Sequence, residues 1–211
     1  MQKIFPEGRL FSHSFYGFSL VNMVLSKPGD SEFRKMAIGD IEKLLGVIEG
    51  MVDEEPFDRC KGLTPKGGVI LAGQVNLLRA GYLLIGGKKQ DVVEHFHKDS
   101  RILYDAFMKS SVGSLESYPW FIWPVDNICA LESLRLHDGL FGTNYIEAGD
   151  KWTRWMSSNT DAESGMMVAQ ISASGDVFDG PRGCALSWSL ALMGGFAPDF
   201  AGSQYALYRK N

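Results

Sequence analysis

Four prolines divide the chain into segments of nearly equal length. Pro6, Pro65, Pro124 and Pro181 are separated by 59, 59 and 57 residues, and three of them continue as P-x-G. A fixed period of this length is typical of a chain built from copies of one supersecondary unit. Proline cannot donate a backbone hydrogen bond and its φ is already helical, so it suits the first position of a helix. We therefore expect each proline to begin a helix and the four helix N-termini to share one end of the molecule.

Each proline precedes a segment that is apolar on more than one side. The four segments are Leu10 to Val24, Val69 to Ile85, Ile128 to Leu136 and Ala185 to Met193. A helix that is apolar around most of its surface is buried on more than one side. The sequence thus predicts four inner helices.

The segments between the inner helices carry a single apolar stripe. The stripes are Phe33, Ala37, Ile41, Leu44, Ile48 and Met51, then Val92, Phe96, Leu103 and Phe107, then Tyr145, Ala148, Trp152 and Trp155, with a last outer helix from Ala201 to Tyr208. Steps of three and four residues mark amphipathic helices. We predict an all-α fold in which inner and outer helices alternate, an α/α toroid of about four helix pairs over residues 1–211. One short strand is expected in a long loop, at Met167 to Ile171.

Composition limits the classes of partner. The net charge is −4 and no basic stripe is present, so nucleic acid is not an expected partner. No run of 18 apolar residues is free of charge, and the N-terminus lacks the pattern of a signal peptide. Cys60, Cys129 and Cys184 are too widely spaced for a metal motif or a disulfide framework. We expect a cytoplasmic protein with reduced thiols, no membrane-spanning segment, no metal and no organic cofactor.

Polar and aromatic residues converge at the end of the molecule where the inner helices are expected to begin. They are Glu7, Arg9, Lys66, Asp126, Asn127 and Arg182 after the prolines, Glu116, Ser117, Tyr118, Trp120 and Trp123 in one loop, and Ser172, Ser174, Asp176, Phe178 and Asp179 in another. A polar cluster with aromatic walls is typical of a small-molecule site. We call this end the mouth.

Asp126 is the strongest catalytic candidate in the mouth. It lies in the first turn of an inner helix, where the helix dipole favours the carboxylate anion. The aromatic residues Tyr118, Trp120 and Trp123 would desolvate it and favour the neutral acid instead. This competition is how carboxylates become useful acids or bases. The alternative is an N-terminal capping carboxylate without a chemical role.

His13, Tyr16 and Glu7 complete the predicted catalytic group. His13 follows Glu7 on the first inner helix, and an imidazole that faces the lumen is suited to proton transfer. Tyr16 is three residues further along and shares a helix face with His13. We expect all three near Asp126. The alternative for His13 is a satisfied core histidine.

The predicted substrate-binding residues are Tyr118, Trp120, Trp123, Asn127, Arg182, Asp179 and Cys184. Arg182 is suited to recognise a carboxylate or oxyanion. Asp179 lies three residues earlier, so the alternative is a structural Arg–Asp pair. Cys184 lies where a helix N-terminus lowers the pKa of a thiol, but no histidine adjoins it in sequence, so an inert thiol is the alternative.

Several of these segments resemble the linalool dehydratase/isomerase-like family. They are Phe5-Pro6-Glu7-Gly8 with Phe15-Tyr16-Gly17, Tyr118-Pro119 leading to Trp123-Pro124-Val125-Asp126-Asn127, Gly180-Pro181-Arg182-Gly183-Cys184-Ala185-Leu186-Ser187, and the tail from Asp199-Phe200 to Gln204-Tyr205. The resemblance implies a toroid of six helix pairs with its site in the central cavity. It also implies conversion of small terpene alcohols, without metal or organic cofactor, by Asp, Tyr, His and Cys side chains.

This chain departs from the family pattern in two ways. The resemblance places two catalytic cysteines in the region that matches Ser117 to Asp126, and this chain has none there. Four helix pairs are expected instead of six, so the chain would be two pairs short of a closed ring. An open ring would expose the flanks of its first and last pairs, which predicts either self-association through those flanks or a marginally stable truncated chain.

Two classes of function are compatible with these observations. One is a cofactor-independent lyase or isomerase that acts on a small organic substrate, with isoprenoid alcohols implied by the resemblance, or else a carbohydrate-active toroid enzyme. The other is a non-catalytic helical-repeat module that binds a ligand or a protein. A perturbed carboxylate pair in the mouth would favour the enzyme, and a rim on which every charge is paired would favour the module.

Overall fold

A computed structural model describes residues 5–210, and these residues confirm an all-α fold. The helices are α1 (Gly8–Ser26), α2 (Ser31–Gly50), α3 (Gly68–Leu84), α4 (Gln90–Lys109), α5 (Pro124–Phe141), α6 (Ile146–Ser157), α7 (Gly183–Met193) and α8 (Pro198–Tyr208). Short 3₁₀ turns at Met51–Asp53 and Phe57–Cys60 join α2 to the loop before α3. The prediction that no signal peptide is present concerns residues 1–4, which lie outside the described residues.

The helices pack in the predicted alternation. The inner helices α1, α3, α5 and α7 pack on one another in chain order, and each also packs on the outer helix that follows it. The contact between α3 and α5 is the most extensive in the molecule. The ring of six helix pairs implied by the family resemblance stays a prediction.

Hydrophobic pattern explains which helices lie inside. In α3 nearly every residue from Gly68 to Tyr82 is buried, because the helix is apolar on all sides and is covered by α1, α2, α4 and α5. In α4 the buried positions are Val92, Phe96, Ser100, Leu103 and Phe107, spaced by three or four residues along one face. Inner and outer helices therefore differ as the sequence predicts.

The predicted position of the prolines is wrong at three of the four sites. Pro124 is the first residue of α5, but α1, α3 and α7 begin at Gly8, Gly68 and Gly183, two or three residues after their prolines. In these segments the glycine, not the proline, begins the helix. Gly68 shows why glycine is needed, since its φ is +72° and a Cβ would lie 2.1 Å from the Ser117 carbonyl oxygen.

A small antiparallel sheet connects the N-terminal ends of the inner helices. Strands β1 (Phe121–Ile122), β2 (Gln170–Ser172) and β3 (Val177–Asp179) pair in this order, with Ile122 opposite Ile171. β1 leads into α5 and β3 leads towards α7. The N-terminal residues of α3 and α1 contact the loop before β1, since Val69 N–H donates to the Glu116 carbonyl and Tyr118 donates to Glu7. The four N-termini are thereby brought to one end.

The sheet was predicted only in part. The expected strand at Met167 to Ile171 overlaps β2, which begins at Gln170, and β1 and β3 were not expected. Strands of two or three residues are too short to show an alternating pattern. Among residues 5–210, no helix combines the length and apolarity required to cross a membrane.

Candidate functional site

Asp126 is buried at the N-terminal end of α5. It is the third residue of the helix and only 7% of its surface is exposed. Burial raises the pKa of its carboxyl group to about 7, and the negative charge of Glu7 adds to this shift. A hydrogen bond from the Ser117 side chain acts in the opposite direction but is outweighed. Near neutral pH, Asp126 therefore exists as a mixture of its acid and carboxylate forms.

Glu7 and Tyr118 form the second polar group of the site. The Tyr118 hydroxyl donates to Glu7 Oε1 at 2.6 Å, across 111 residues of sequence. Burial, followed by the bond to Glu7, raises the pKa of the Tyr118 phenol far above its ordinary value. The phenol stays protonated and remains a donor to the Glu7 carboxylate. The charge of Glu7 thus acts on Asp126, and its catalytic role stays a prediction.

Backbone contacts fix the Ser117 side chain that faces Asp126. Ser117 is fully buried, its Oγ accepts a hydrogen bond from Trp123 N–H at 3.2 Å, and its carbonyl oxygen accepts one from the Cys60 thiol at 3.6 Å. Gly68 permits the close approach of α3 to this residue. Ser117 was placed in the mouth by sequence, but its bond to Asp126 could not be inferred from spacing.

Asn127 supports the loop before α5, and its predicted contact with a substrate stays a prediction. Its Nδ2 donates to the carbonyls of Leu115 and Trp123, both at 3.1 Å, and its Oδ1 accepts from Leu115 N–H at 2.6 Å. The side chain is completely buried. Both amide protons are used by the backbone, so Asn127 positions the loop before α5.

An aromatic wall extends from the mouth into the space between α1 and α7. Phe11 lies 5.6 Å from Phe15 between ring centroids, and Phe15 lies 4.6 Å from Trp188 of α7. Phe18 also contacts Trp188, at 6.2 Å. The Trp188 side chain hydrogen-bonds to Cys129, one helical turn after Asp126. We call Phe11, Phe15, Phe18 and Trp188 the aromatic wall.

Sequence reasoning missed the aromatic wall. Its signal was present, because Phe11, Phe15 and Phe18 recur at steps of four and three on α1. Trp188 belongs to a helix that is apolar on every side, so the pattern did not show which way it faces. Cys129 was expected to be an ordinary buried thiol, and burial raises its pKa to about 12.

Tyr16 does not lie beside Asp126, and this part of the prediction is wrong. Its hydroxyl donates to Asp40 of α2 at 3.2 Å, and 48% of its surface is exposed. The face of α1 that carries Tyr16 is thus turned towards α2. His13 is half-buried, and its Nδ1 lies 2.7 Å from the Arg9 carbonyl oxygen of its own helix. That contact is the local satisfaction expected under the structural alternative.

The tryptophans of the mouth differ in position. Trp123 packs edge-on against Tyr118, with ring centroids 5.8 Å apart, and lines the site. Trp120 is 75% exposed and has a positive φ of 75°, so it is not part of the predicted wall around Asp126. Its N–H donates to the Glu116 carboxylate, which holds the loop in this conformation.

Arg182 pairs with Asp179, as the structural alternative expects. The Arg182 side chain is 61% exposed, and its guanidinium contacts the Asp179 carboxylate. The pair connects the end of β3 to the start of α7. Cys184 is exposed in the first turn of α7, and its role as a nucleophile stays a prediction.

Cavity volume and chemistry identify different places. A groove of about 710 Å³ lies between α2 and α4 and does not include Asp126. We assign the candidate site to Asp126 because a buried acid that titrates near neutral pH is the group suited to catalysis. The volume of the groove is by itself no evidence of catalysis.

Within residues 5–210, no three His, Cys, Asp or Glu side chains converge in a way that could hold a metal ion. A comparison with models of known protein families gives no match for this chain. The resemblance to the linalool dehydratase/isomerase-like family therefore stays a prediction.

Proposed function

We propose that this chain is a cofactor-independent lyase or isomerase that acts on a small organic substrate by acid–base catalysis at Asp126. The observation that carries the proposal is the buried Asp126 carboxyl group, whose pKa is about 7, beside Glu7. A general acid is most effective when its pKa lies near the working pH. An alcohol of the isoprenoid class is the substrate that the family resemblance implies.

The proposed reaction uses the two carboxyl groups in different protonation states. Asp126 in its acid form protonates the substrate hydroxyl, the C–O bond breaks, and water leaves with the bonding electrons. Glu7 as carboxylate takes a proton from the neighbouring carbon, whose C–H electrons form the new C=C bond. A proton then returns from Glu7 to Asp126, so the enzyme is unchanged.

The aromatic wall supplies the second part of the proposal. The rings of Phe15 and Trp188 offer apolar surface for the body of the substrate. Aromatic faces also attract positive charge, which develops on carbon as the water departs. An apolar alcohol therefore matches the aromatic wall better than a polar substrate does.

Product analysis tests the proposal. The purified protein is incubated with a panel of small tertiary and allylic isoprenoid alcohols, and gas chromatography with mass spectrometry detects the alkene formed. Asp126→Asn and Glu7→Gln should each abolish turnover. Asp199→Asn is the matched control, because Asp199 is an exposed first-turn acid of another proline-initiated helix. Turnover by Asp126→Asn at the wild-type rate would contradict the proposal.

A binding module is the second candidate, and the paired charges of the rim favour it. Arg9 contacts Glu54, Arg182 contacts Asp179, and Asp176 accepts hydrogen bonds from Ser172 and Ser174. A module would bind a panel member without converting it, and Asp126→Asn would retain that binding. Oligosaccharides in the same panel test the carbohydrate-active alternative.

We further propose that the chain self-associates through its first and last inner helices, α1 and α7. α7 is apolar along its length, yet its only buried residues are Leu186, Ser189 and Met193. On α1, Met23 and Leu25 are 48% and 50% exposed. Exposed apolar faces of this kind mark interaction sites. Light scattering should give a mass above 23.4 kDa, and a monomer at all concentrations that melts sharply would contradict this.

A further inference from the structure

The side chains that line the groove between α2 and α4 differ in chemical type from those around Asp126. α3 forms its floor, and the loop before α3 borders it. Its volume of about 710 Å³ is within the range of pockets that bind small molecules. Neither the carboxyl groups of the mouth nor the aromatic wall contribute to its lining.

A buried arginine lies at the polar part of the groove. The Arg79 side chain is only 5% exposed. Its Nε and Nη2 donate to Glu49 Oε1 at 3.2 and 2.8 Å, and its Nη1 donates to Asp99 Oδ2 at 2.5 Å. These bonds use three of the five N–H groups of the guanidinium. The arginine is thus fixed in place by α2 and α4, with donor capacity left over.

The groove is more positive than the rest of the molecule. Its lining includes the four cations Lys61, Lys66, Arg79 and Lys98, against the two carboxylates Glu49 and Asp99. The whole chain, by contrast, has a net charge of −4. Among residues 5–210, Lys66 and Lys98 form no ion pair, so their charges are available to a bound anion.

The rest of the lining is apolar. Leu71, Val75 and Leu103 are buried at the floor, and Leu63 and Ile102 stand partly exposed along the sides. Apolar walls with a few placed polar groups are typical of small-molecule sites. A ligand that matches this lining has an apolar body and an anionic head.

We propose that this groove binds an organic carboxylate with an apolar chain. The head group lies against Lys98 and the free N–H groups of Arg79, and the chain lies on Val75, Leu71 and Leu103. The proposal is independent of the function assigned to Asp126, because Asp126, Glu7 and the aromatic wall do not line the groove.

Calorimetric titration with decanoate, below its micelle concentration and at low salt, tests the site. One saturable binding event per chain is expected. Decanol lacks the charge, and butyrate and inorganic phosphate lack the long apolar body. Each of these three probes should bind at least about tenfold more weakly, because each loses one of the two contributions. Equal affinity for decanol or for inorganic phosphate would overturn the proposal.

Charge reversal locates the binding. Lys98→Glu changes an exposed lysine next in sequence to Asp99, the partner of Arg79, and should raise the Kd for decanoate at least about tenfold. The matched control is Lys35→Glu, which alters the net charge equally at an exposed position outside the groove. The control should change the Kd by less than about twofold, and Asp126→Asn should leave it unchanged. Equal effects of the two lysine variants, or no saturable binding by the wild type, would overturn the proposal.

Discussion

Helix α5 buries a titratable side chain near each of its ends, and the two ends differ in how well that side chain is satisfied. At the N-terminal end, the carboxylate of Asp126 has one described side-chain partner, Ser117, and a like charge, Glu7, beside it. At the C-terminal end, both ring nitrogens of His137 have partners. The first arrangement is that of a reactive group, and the second is that of a structural one.

The hydrogen bonds at the C-terminal end form a chain with one consistent direction. Thr143 donates to Asp138 Oδ1 at 2.5 Å, so the His137 Nδ1–H donates to Thr143 Oγ1 at 2.8 Å. His137 Nε2 then accepts from His97 Nδ1–H at 2.9 Å. Asp138 also accepts from the backbone at the start of α6. The neutral histidine is therefore built into the connection between α5 and α6.

Desolvation decides the charge state at both ends. The dipole of α5 favours an anion at its N-terminus and a cation near its C-terminus, by about 0.3–1 kcal/mol each at exposed sites. Burial nevertheless raises the pKa of Asp126 to about 7 and lowers that of His137 to about 4. Burial thus shifts two groups of opposite charge type towards their neutral forms.

The largest expected effect comes from a comparison of two glycines, one of which supports each end of α5. Gly68→Ala should destabilise the fold by about 4 kcal/mol, because a Cβ would lie 2.1 Å from the Ser117 carbonyl oxygen at a φ of +72°. Gly142 ends α5 at a φ of +68°, and a Cβ there would meet no heavy atom from another segment of residues 5–210 within 4 Å. Gly142→Ala should therefore cost only about 1 kcal/mol. Urea denaturation measures both, and equal losses would contradict the proposed support of Ser117.

The second prediction concerns stability as a function of pH at the N-terminal end. Between the ordinary aspartate pKa of 3.8 and the folded value of about 7, the folded chain retains a proton that the unfolded chain releases. Asp126 therefore reduces stability as the pH rises through this window. Asp126→Asn should become more stable relative to wild type over the same window, by up to about 4 kcal/mol at pH 8. Asp199→Asn should show no such trend.

The third prediction has the opposite sign and concerns His137. Its pKa is lowered from 6.5 to about 4, so the unfolded chain binds more protons and stability rises with pH through this window. His137→Gln should lose that rise, by about 3 kcal/mol relative to wild type between pH 4 and 6.5. Denaturation curves at several pH values measure it. A parallel shift of the whole profile would mean that His137 contributes packing alone.

The smallest expected effect tests the direction of the hydrogen-bond chain. Thr143→Val removes the acceptor of the His137 Nδ1–H and the donor to Asp138 while it keeps the shape of the side chain. A loss of about 1–3 kcal/mol is expected, because a buried donor is left without a partner. Catalytic turnover at Asp126, if present, should not change. A change in the activation free energy of turnover that exceeds the change in the free energy of unfolding would show that the two ends of α5 are coupled.

The sequence alone was sufficient for the number, order and type of the helices. A broad apolar surface marked α1, α3, α5 and α7, and single stripes marked the outer helices, because burial on several sides or on one side leaves its own period in the chain. The same pattern, with the 59, 59 and 57 residue spacing, also indicated that the inner helices begin at one end. It placed Asp126 and Glu7 at that end together with other polar residues near the prolines, and the catalytic roles of the two residues stay a prediction.

Only the tertiary structure decided which side chains meet. The Tyr118 to Glu7 bond joins residues 111 positions apart, and Phe15 meets Trp188 across two separate helices. Periodicity reports how much of a helix is covered but not its rotation towards one neighbour, which is why Tyr16 was assigned to the wrong side of α1. The shift of the Asp126 pKa likewise depends on the sum of all nearby atoms, since desolvation is a property of the packed site and not of the residue.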